Sequence, residues 1–385
     1  MLNVTKMIMG ASSRRKPPLH PQRPVVVWNV TKRCNLKCEH CYAASKDTYY
    51  PDELTKEEAR EFIKDLAAYR VPALILSGGE PLLRDDIFEL AYLSSKLGVS
   101  TALSTNGTLI TEELAKRIRD SGIYYVGISI DGDEPTHDTF RGQKGSFRRS
   151  IDGIRACLEA GIKVGLRFTM TRKTIECLPF LIELALKEGC HRLYLSHLVY
   201  VGRGRRLSAD ALSPDAMRNT MDVVFNSAER ILKESNHLEI VTGNNDVDGI
   251  YLYYRYLSKD PHLANSIYLM LEARGGNTAG RLIASVDSFG NVHPDQYWSL
   301  YRVGNIRERR FSELWSDEDQ PLLKSLRDRL GLLKGRCRSC IHRRLCAGNS
   351  RIRARHFYGD LWAEDPACYL TNTECGINTD TLEAI

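Results

Sequence analysis

The sequence predicts an α/β fold in which a large core built on a parallel sheet is followed by a smaller, cysteine-rich appendage. Three observations carry this expectation. Apolar, β-branched runs alternate with amphipathic helical patterns through the first half of the chain, which implies a parallel sheet with right-handed crossovers. From about Ser213 the pattern changes to longer helices. Most of the eleven cysteines fall in two tight sets, one near each end of the chain.

The first strand is predicted at Val25 to Thr31 and runs directly into the first cysteines. Thr55 with Glu58 three residues on forms a capping box that opens an amphipathic helix ending near Tyr69. Further strands are expected at Ala73 to Ser77, Val99 to Ser104, Tyr124 to Ile130, Ile162 to Met170 and Arg192 to Leu198, with Gly98, Gly122 and Gly161 where helices stop. Six such units form either an open doubly wound sheet or a partial barrel, and in both the chemistry belongs at the C-terminal strand ends. Ile283 to Asp287 and Asn291 to His293, flanking Ser288-Phe289-Gly290, read as a hairpin. The expected organisation is a basic leader over 1–24, a core over 25–205, a helical linker region over 206–281 and a cysteine-bearing α+β domain over 282–385.

Composition sets the broad class. A 385-residue chain with 43% apolar and 26% charged residues is ordinary for a soluble globular protein, and no apolar run approaches the ~20 residues that cross a bilayer. No membrane association is expected. The opening MLNVTKMIMGASSRRKPP has no apolar signal core, so the expected location is cytoplasmic. In that compartment the cysteines are metal ligands before they are disulfides. The net charge of +6 is uneven, since Lys334 to Arg355 holds eight Lys or Arg and no acid. Arg336, Arg338, Arg343, Arg344, Arg351, Arg353 and Arg355 suit a ligand with several carboxylates or offset a negatively charged cluster. They lack the interleaved aromatics that would stack RNA bases, and no nucleic acid is expected.

Cys34, Cys38 and Cys41 stand in CNLKCEHC, a C-x3-C-x2-C spacing on the loop leaving the first strand. Three thiolates can hold three irons of a 4Fe-4S cube and leave the fourth open, whereas an electron-transfer cluster takes four cysteines. A zinc site completed by His40 is the simpler alternative. Cys337, Cys340, Cys346 and Cys368 form C-x2-C-x5-C followed by a fourth cysteine, enough to saturate a cluster or a zinc ion. Cys375 lies close to Cys368 and leaves that fourth ligand open. Cys157, Cys177 and Cys190 sit in apolar patterns as buried spectators.

The first spacing resembles the radical S-adenosylmethionine (SAM) signature, and Ser77-Gly78-Gly79-Glu80-Pro81 looks like that family's GGEP motif. The resemblance implies a partial (β/α)6 TIM-like barrel, a SAM-binding 4Fe-4S cluster and a 5'-deoxyadenosyl radical. It places His40 near the adenine, and Gly78, Gly79 and Glu80 at the amino group of SAM. Ser104 and Asn106 of STNG and Ser129 and Asp131 of SIDG are implied near the ribose and carboxylate, and Arg167 is a candidate partner of the carboxylate. The second cysteine set resembles the auxiliary-cluster half of a SPASM or twitch domain. One auxiliary 4Fe-4S cluster is implied, because Gly280-Arg-Leu-Ile-Ala-Ser285 lacks the cysteine of the G-x4-C element.

The stretches TGNNDVDG, HPDQYW, WAEDPACYL and the GRG of residues 202 to 204 resemble the NirJ family of heme d1 biosynthesis. That resemblance implies an iron-containing tetrapyrrole substrate, 12,18-didecarboxysiroheme, attacked on its propionates, and a reductant such as ferredoxin or flavodoxin. Sibling families (AhbC-like and AhbD-like) instead remove acetates from the same compound or oxidatively decarboxylate coproheme. Peptide-modifying SPASM enzymes and a non-catalytic metal-binding protein are the more distant alternatives. His293 is a candidate iron ligand or acid, set against the commoner structural histidine.

Overall fold

The computed structural model describes residues 1–12 and 23–377. Its strands are β1 (Leu2–Asn3), β2 (Val25–Asn29), β3 (Ala73–Ser77), β4 (Ser100–Thr105), β5 (Ile123–Ser129), β6 (Lys163–Met170), β7 (Arg192–His197), β8 (Glu239–Gly243), β9 (Ile283–Val286), β10 (Asn291–His293) and β11 (Gly304–Asn305). They form one mixed sheet in the order β1-β8-β7-β6-β5-β4-β3-β2-β9-β10-β11. β2 to β7 are the six expected strands, parallel and consecutive, with helices on the connections. Their end strands do not pair with each other, so the barrel is partial.

The local signals act as their chemistry predicts. Thr55 caps the helix Lys56–Ala68 in a capping box with Glu58. Gly98, Gly122 and Gly161 take the left-handed backbone just past helix ends. The expected hairpin forms with Val292 opposite Val286, and β9 extends the main sheet by pairing parallel to β2. The cysteine-bearing domain is therefore joined to the core through a shared sheet.

Two expectations of organisation change. The leader expected over 1–24 begins with structure: Leu2–Asn3 pair antiparallel with β8, and the helix Val4–Ser12 packs beside them. Residues 13–22, with most of that leader's basic run, lie outside the described residues. The linker region expected over 206–281 has its long helices but also supplies β8, which pairs parallel to β7 and carries the sheet one strand further.

The core is continuous along the sheet. Trp28 is fully buried and meets Phe62 edge-on at 5.3 Å. A smaller cluster of Val199, Val201, Ala279, Trp298, Leu326 and Ile352 fastens the C-terminal helices over the open end of the sheet. Among the described residues no helix is long and apolar enough to cross a membrane.

Candidate active site

A cavity of about 420 Å3 opens at the C-terminal ends of the parallel strands, within the usual size range of small-molecule sites. Cys34, Cys38, His40 and Cys41, on the loop after β2, line it. So do Gly78 and Gly79 after β3, Ser104 and Asn106 at the end of β4, Ser129 at the end of β5 and Arg167 on β6. The two glycines are required by close approach. A Cβ on Gly78 would stand 2.4 Å from the carbonyl oxygen of Thr31, and one on Gly79 would stand 2.1 Å from that of Arg33. The turn is thus pressed against the backbone that launches the cysteine loop, with Gly79 and Glu80 donating their N–H groups to Thr31 and Arg33.

Two acids expected to meet SAM do not line the cavity. Glu80 is fully buried and accepts from the backbone N–H groups of Leu82 and Asn106 and from the Thr105 hydroxyl. Burial raises its pKa, against the pull of these donors. Its carboxylate pins the end of β4 so that Asn106 faces the cavity. Asp131 is also fully buried, accepting from Thr169 N–H and pairing with Arg141 at 2.6 Å. Burial works against its charge, but Arg141 overcomes it and holds the carboxyl below its usual range.

Arg141 is a residue that sequence reasoning missed. Fixed by Asp131, it places Nη1 3.6 Å from Cys38 Sγ, a charged donor where a cluster sulfur would carry negative charge. The GRG motif does not reveal what the Arg203 side chain reaches. Its guanidinium donates to the carbonyls of Cys38 and Ser45 and its N–H to that of Cys41. Gly202 takes φ of +56°, and a Cβ there would lie 2.3 Å from the Tyr42 carbonyl. GRG is therefore a clamp on the cysteine loop.

The remaining features fit the group that three cysteines imply. Burial pushes the Cys34 thiol up to about 12 and raises that of Cys38, the expected state of such thiols before a metal takes their protons. His40 stacks on Phe140 at 4.6 Å, is held neutral by burial with its pKa lowered to about 4, and has a buried Nδ1 without a partner. Arg167 lies over the Tyr194 ring at 5.1 Å and has no ion-pair partner among the described residues, as suits a cation awaiting a carboxylate.

The opposite wall comes from the later motifs. Asn244 donates to Ser196 and to the Tyr297 hydroxyl, both at 2.8 Å. Asp246 pairs with Arg274 at 2.6 Å, and both line the cavity with Asp295, Gln296 and Tyr297. His293 does not line it: Nδ1 bonds the Tyr301 carbonyl at 2.7 Å and Nε2 faces Asp287. The histidine thus locks the hairpin, with both ring nitrogens engaged away from the cavity lining.

Cys337, Cys340, Cys346, Cys368 and Cys375 line a second cavity of about 140 Å3. The arginines around it divide: Arg338, Arg343, Arg344 and Arg355 are exposed and Arg336 is half-buried. Arg353 and Arg351 are buried, the first paired with Asp365 and the second donating to the carbonyls of Leu361 and Ala363. Arg336 and Arg343 donate to the carbonyls of Leu370 and Arg338, and Arg355 to that of Gly359. Arg351 keeps Nε and Nη2 unpartnered, with Asp365 and then Cys337 and Cys346 as the negative groups acting on it. A buried cation with two unused donors beside thiols fits a negatively charged cluster. Of the presumed spectators, Cys157 and Cys190 are buried, whereas Cys177 is half-buried, with Thr136 in reach of its thiol.

Residues 28–185 match the family model of the radical SAM superfamily. A pre-heme d1 synthase from Dinoroseobacter shibae is 49% identical over 361 residues, covering 93% of this chain and 89% of its own. The chain belongs to the radical SAM superfamily. An Fe-coproporphyrin III synthase from Methanosarcina barkeri is 42% identical, covering 92% and 90% of the two chains. An AdoMet-dependent heme synthase from the same organism is 34% identical, covering 89% and 95%. Among solved structures, Streptococcus suis SuiB bound to S-adenosylmethionine aligns with a TM-score of 0.71 at 17% identity, covering 91% of this chain and 78% of its own. Native anSMEcpe with bound AdoMet aligns at 0.67 and 21% identity, covering 89% and 93%. At these identities the two structures establish a shared fold for this radical SAM chain.

Proposed function

We propose that this radical SAM enzyme modifies the propionate side chains of an iron-bearing tetrapyrrole, 12,18-didecarboxysiroheme, on the way to heme d1. One observation carries the reading: a single cavity joins the SAM-site residues to the TGNN and DQY segments, in a chain whose resemblance to a pre-heme d1 synthase runs nearly end to end. Cys34, Cys38 and Cys41 would hold the SAM-binding 4Fe-4S cluster, which would supply the electron for reductive cleavage of SAM to a carbon radical able to attack an unactivated C–H bond. His40, Gly78, Gly79, Ser104, Asn106, Ser129 and Arg167 surround SAM, while Glu80 and Asp131 act one step back by fixing Asn106 and Arg141.

The substrate carboxylates fall to the cavity, where Arg274, paired with Asp246, is the cation of the far wall, and not to the buried Arg351 and Arg353. The second cysteine set holds an auxiliary 4Fe-4S cluster. Both sets frame cavities, which suits a four-iron cube better than the single point of a zinc site. Electrons come from a small reductant such as ferredoxin or flavodoxin. The 42% identity to an Fe-coproporphyrin III synthase makes acetate removal from the same compound the second reading. Anaerobic incubation with didecarboxysiroheme, SAM and a strong reductant, followed by mass spectrometry, separates them. Products altered at propionates support the first reading, and loss of two acetates as methyl-bearing product supports the second.

A further inference from the structure

Five cysteines, not four, line the second cavity. A four-iron cube takes one thiolate per iron, so one of the five has no iron to bind. Position identifies it. Cys337, Cys340 and Cys346 make up the C-x2-C-x5-C run and Cys368 is the cysteine that follows it, and all four line the cavity. Cys375 shares the lining, lies beside Cys340 through the Ile341 N–H to Cys375 carbonyl bond, and has its thiol in hydrogen-bond contact with Cys340 and Cys368.

The placement of Cys375 does not depend on a metal. Its N–H donates to the Thr371 carbonyl, and its own carbonyl accepts from Ile341, the residue after Cys340. The preceding residue is anchored twice: Glu374 is gripped by Arg218 at 2.8 and 3.0 Å, and its carbonyl accepts from the Tyr254 hydroxyl. The thiol is buried and is held against two sulfurs by a braced turn.

We propose that Cys375 is not a ligand of the auxiliary cluster but its outer-sphere thiol, sharing its S–H between the ligand sulfurs of Cys340 and Cys368. This rests on the reading of the second site as an iron-sulfur site. Hydrogen bonds to cluster sulfurs stabilise the more negative, reduced state and so raise the reduction potential. Cys375 is a positioning residue that sets the potential at which the second cluster exchanges electrons.

The test uses full-length protein with Cys34, Cys38 and Cys41 all replaced by Ala, so that only the second site is loaded. This parent is reconstituted anaerobically and analysed for iron, zinc and midpoint potential by electron paramagnetic resonance. It should carry about four iron. A parent holding one zinc and no iron removes the cluster reading itself, before any Cys375 variant is made. In the parent background Cys375→Ala should keep its four iron and show a lower midpoint, with Cys375→Ser nearer the parent because a hydroxyl still donates. Cys368→Ala should lose iron. The proposal is overturned if Cys375→Ala loses iron while Cys368→Ala keeps it, or if Cys375→Ala keeps both iron and midpoint. Thermal melts of both Cys375 variants distinguish an unfolded domain from a missing ligand.

Discussion

Arg353 and Asp365 form a two-pronged ion pair, Nε to Oδ1 at 3.0 Å and Nη2 to Oδ2 at 2.8 Å, with both side chains sealed from solvent. The same carboxylate accepts from the backbone N–H groups of Ser350 and Ala367, and Arg353 also reaches the Leu198 carbonyl just past β7. The pair therefore ties the loop of Cys368 to the core sheet. Arg353→Leu strands a buried carboxylate, and breaking such pairs costs about 3–5 kcal/mol. Arg353→Lys should recover little, because one ammonium cannot replace the fork. Thermal or denaturant unfolding measures both losses, and a melt unchanged in Arg353→Leu would remove the pair from the account of stability.

Much of this was legible from the chain alone, for physical reasons. β2 to β7 are apolar runs bounded by turn residues, the Thr55 cap is a local hydrogen-bond pattern, and the cofactor motifs declare themselves because glycine and cysteine have few other uses at strand ends. The misreadings share a cause. The basic run reports charge but not direction, and Arg351 and Arg353 point inward to carbonyls and Asp365. β1 has two residues and β8 five, the latter between helices, too short for periodicity to show. Arg141 reaches Cys38 from 103 positions away, and no spacing rule can see that.

Arg141 leads to a second expectation. Arg141→Gln removes the charged donor to Cys38 and leaves Asp131 buried without its cation, so both stability and first-site iron should fall. The double variant Asp131→Asn with Arg141→Gln should regain much of the stability, since neither buried charge is then unpaired. It should not regain the wild-type rate of 5'-deoxyadenosine formation. Full recovery of that rate would limit Arg141 to a structural role.

The two cysteine sets should separate two activities. Cys38→Ala should abolish reductive SAM cleavage, because two thiolates cannot present an open iron, while the second site keeps its metal. Cys346→Ala should retain uncoupled SAM cleavage and lose tetrapyrrole conversion. Arg351→Gln should lower iron retention at the second site, with affinity for Fe-coproporphyrin unchanged as read by the Soret band. Reductive cleavage at the wild-type rate in Cys38→Ala would put the radical-generating site elsewhere.

Asp295 gives the pH dependence. Burial pushes its carboxyl up to about 6, against the Tyr297 N–H at 2.7 Å and the charges of His293 and Arg329. Tyr194 and Tyr297 complete its surroundings, and no cation pairs with it directly among the described residues. A carboxyl raised from 3.8 to about 6 binds its proton more tightly when folded. Its contribution to stability is therefore greatest below about pH 4, falls as pH rises through 6, and stays low above that. The full difference is at most about 3 kcal/mol. Asp295→Asn keeps a polar side chain without the charge, so it should match wild type near pH 4 and melt higher at pH 8. Taking the difference between the two proteins at each pH cancels other groups such as His293. The ionised carboxylate also faces the cavity that is proposed to hold substrate, and natural sites commonly trade stability for function in this way. Asp295→Asn should accordingly convert the tetrapyrrole more slowly although it is the more stable protein at pH 8. Equal melting at pH 8 would show that water in the cavity solvates the carboxylate and that its burial carries no energetic cost.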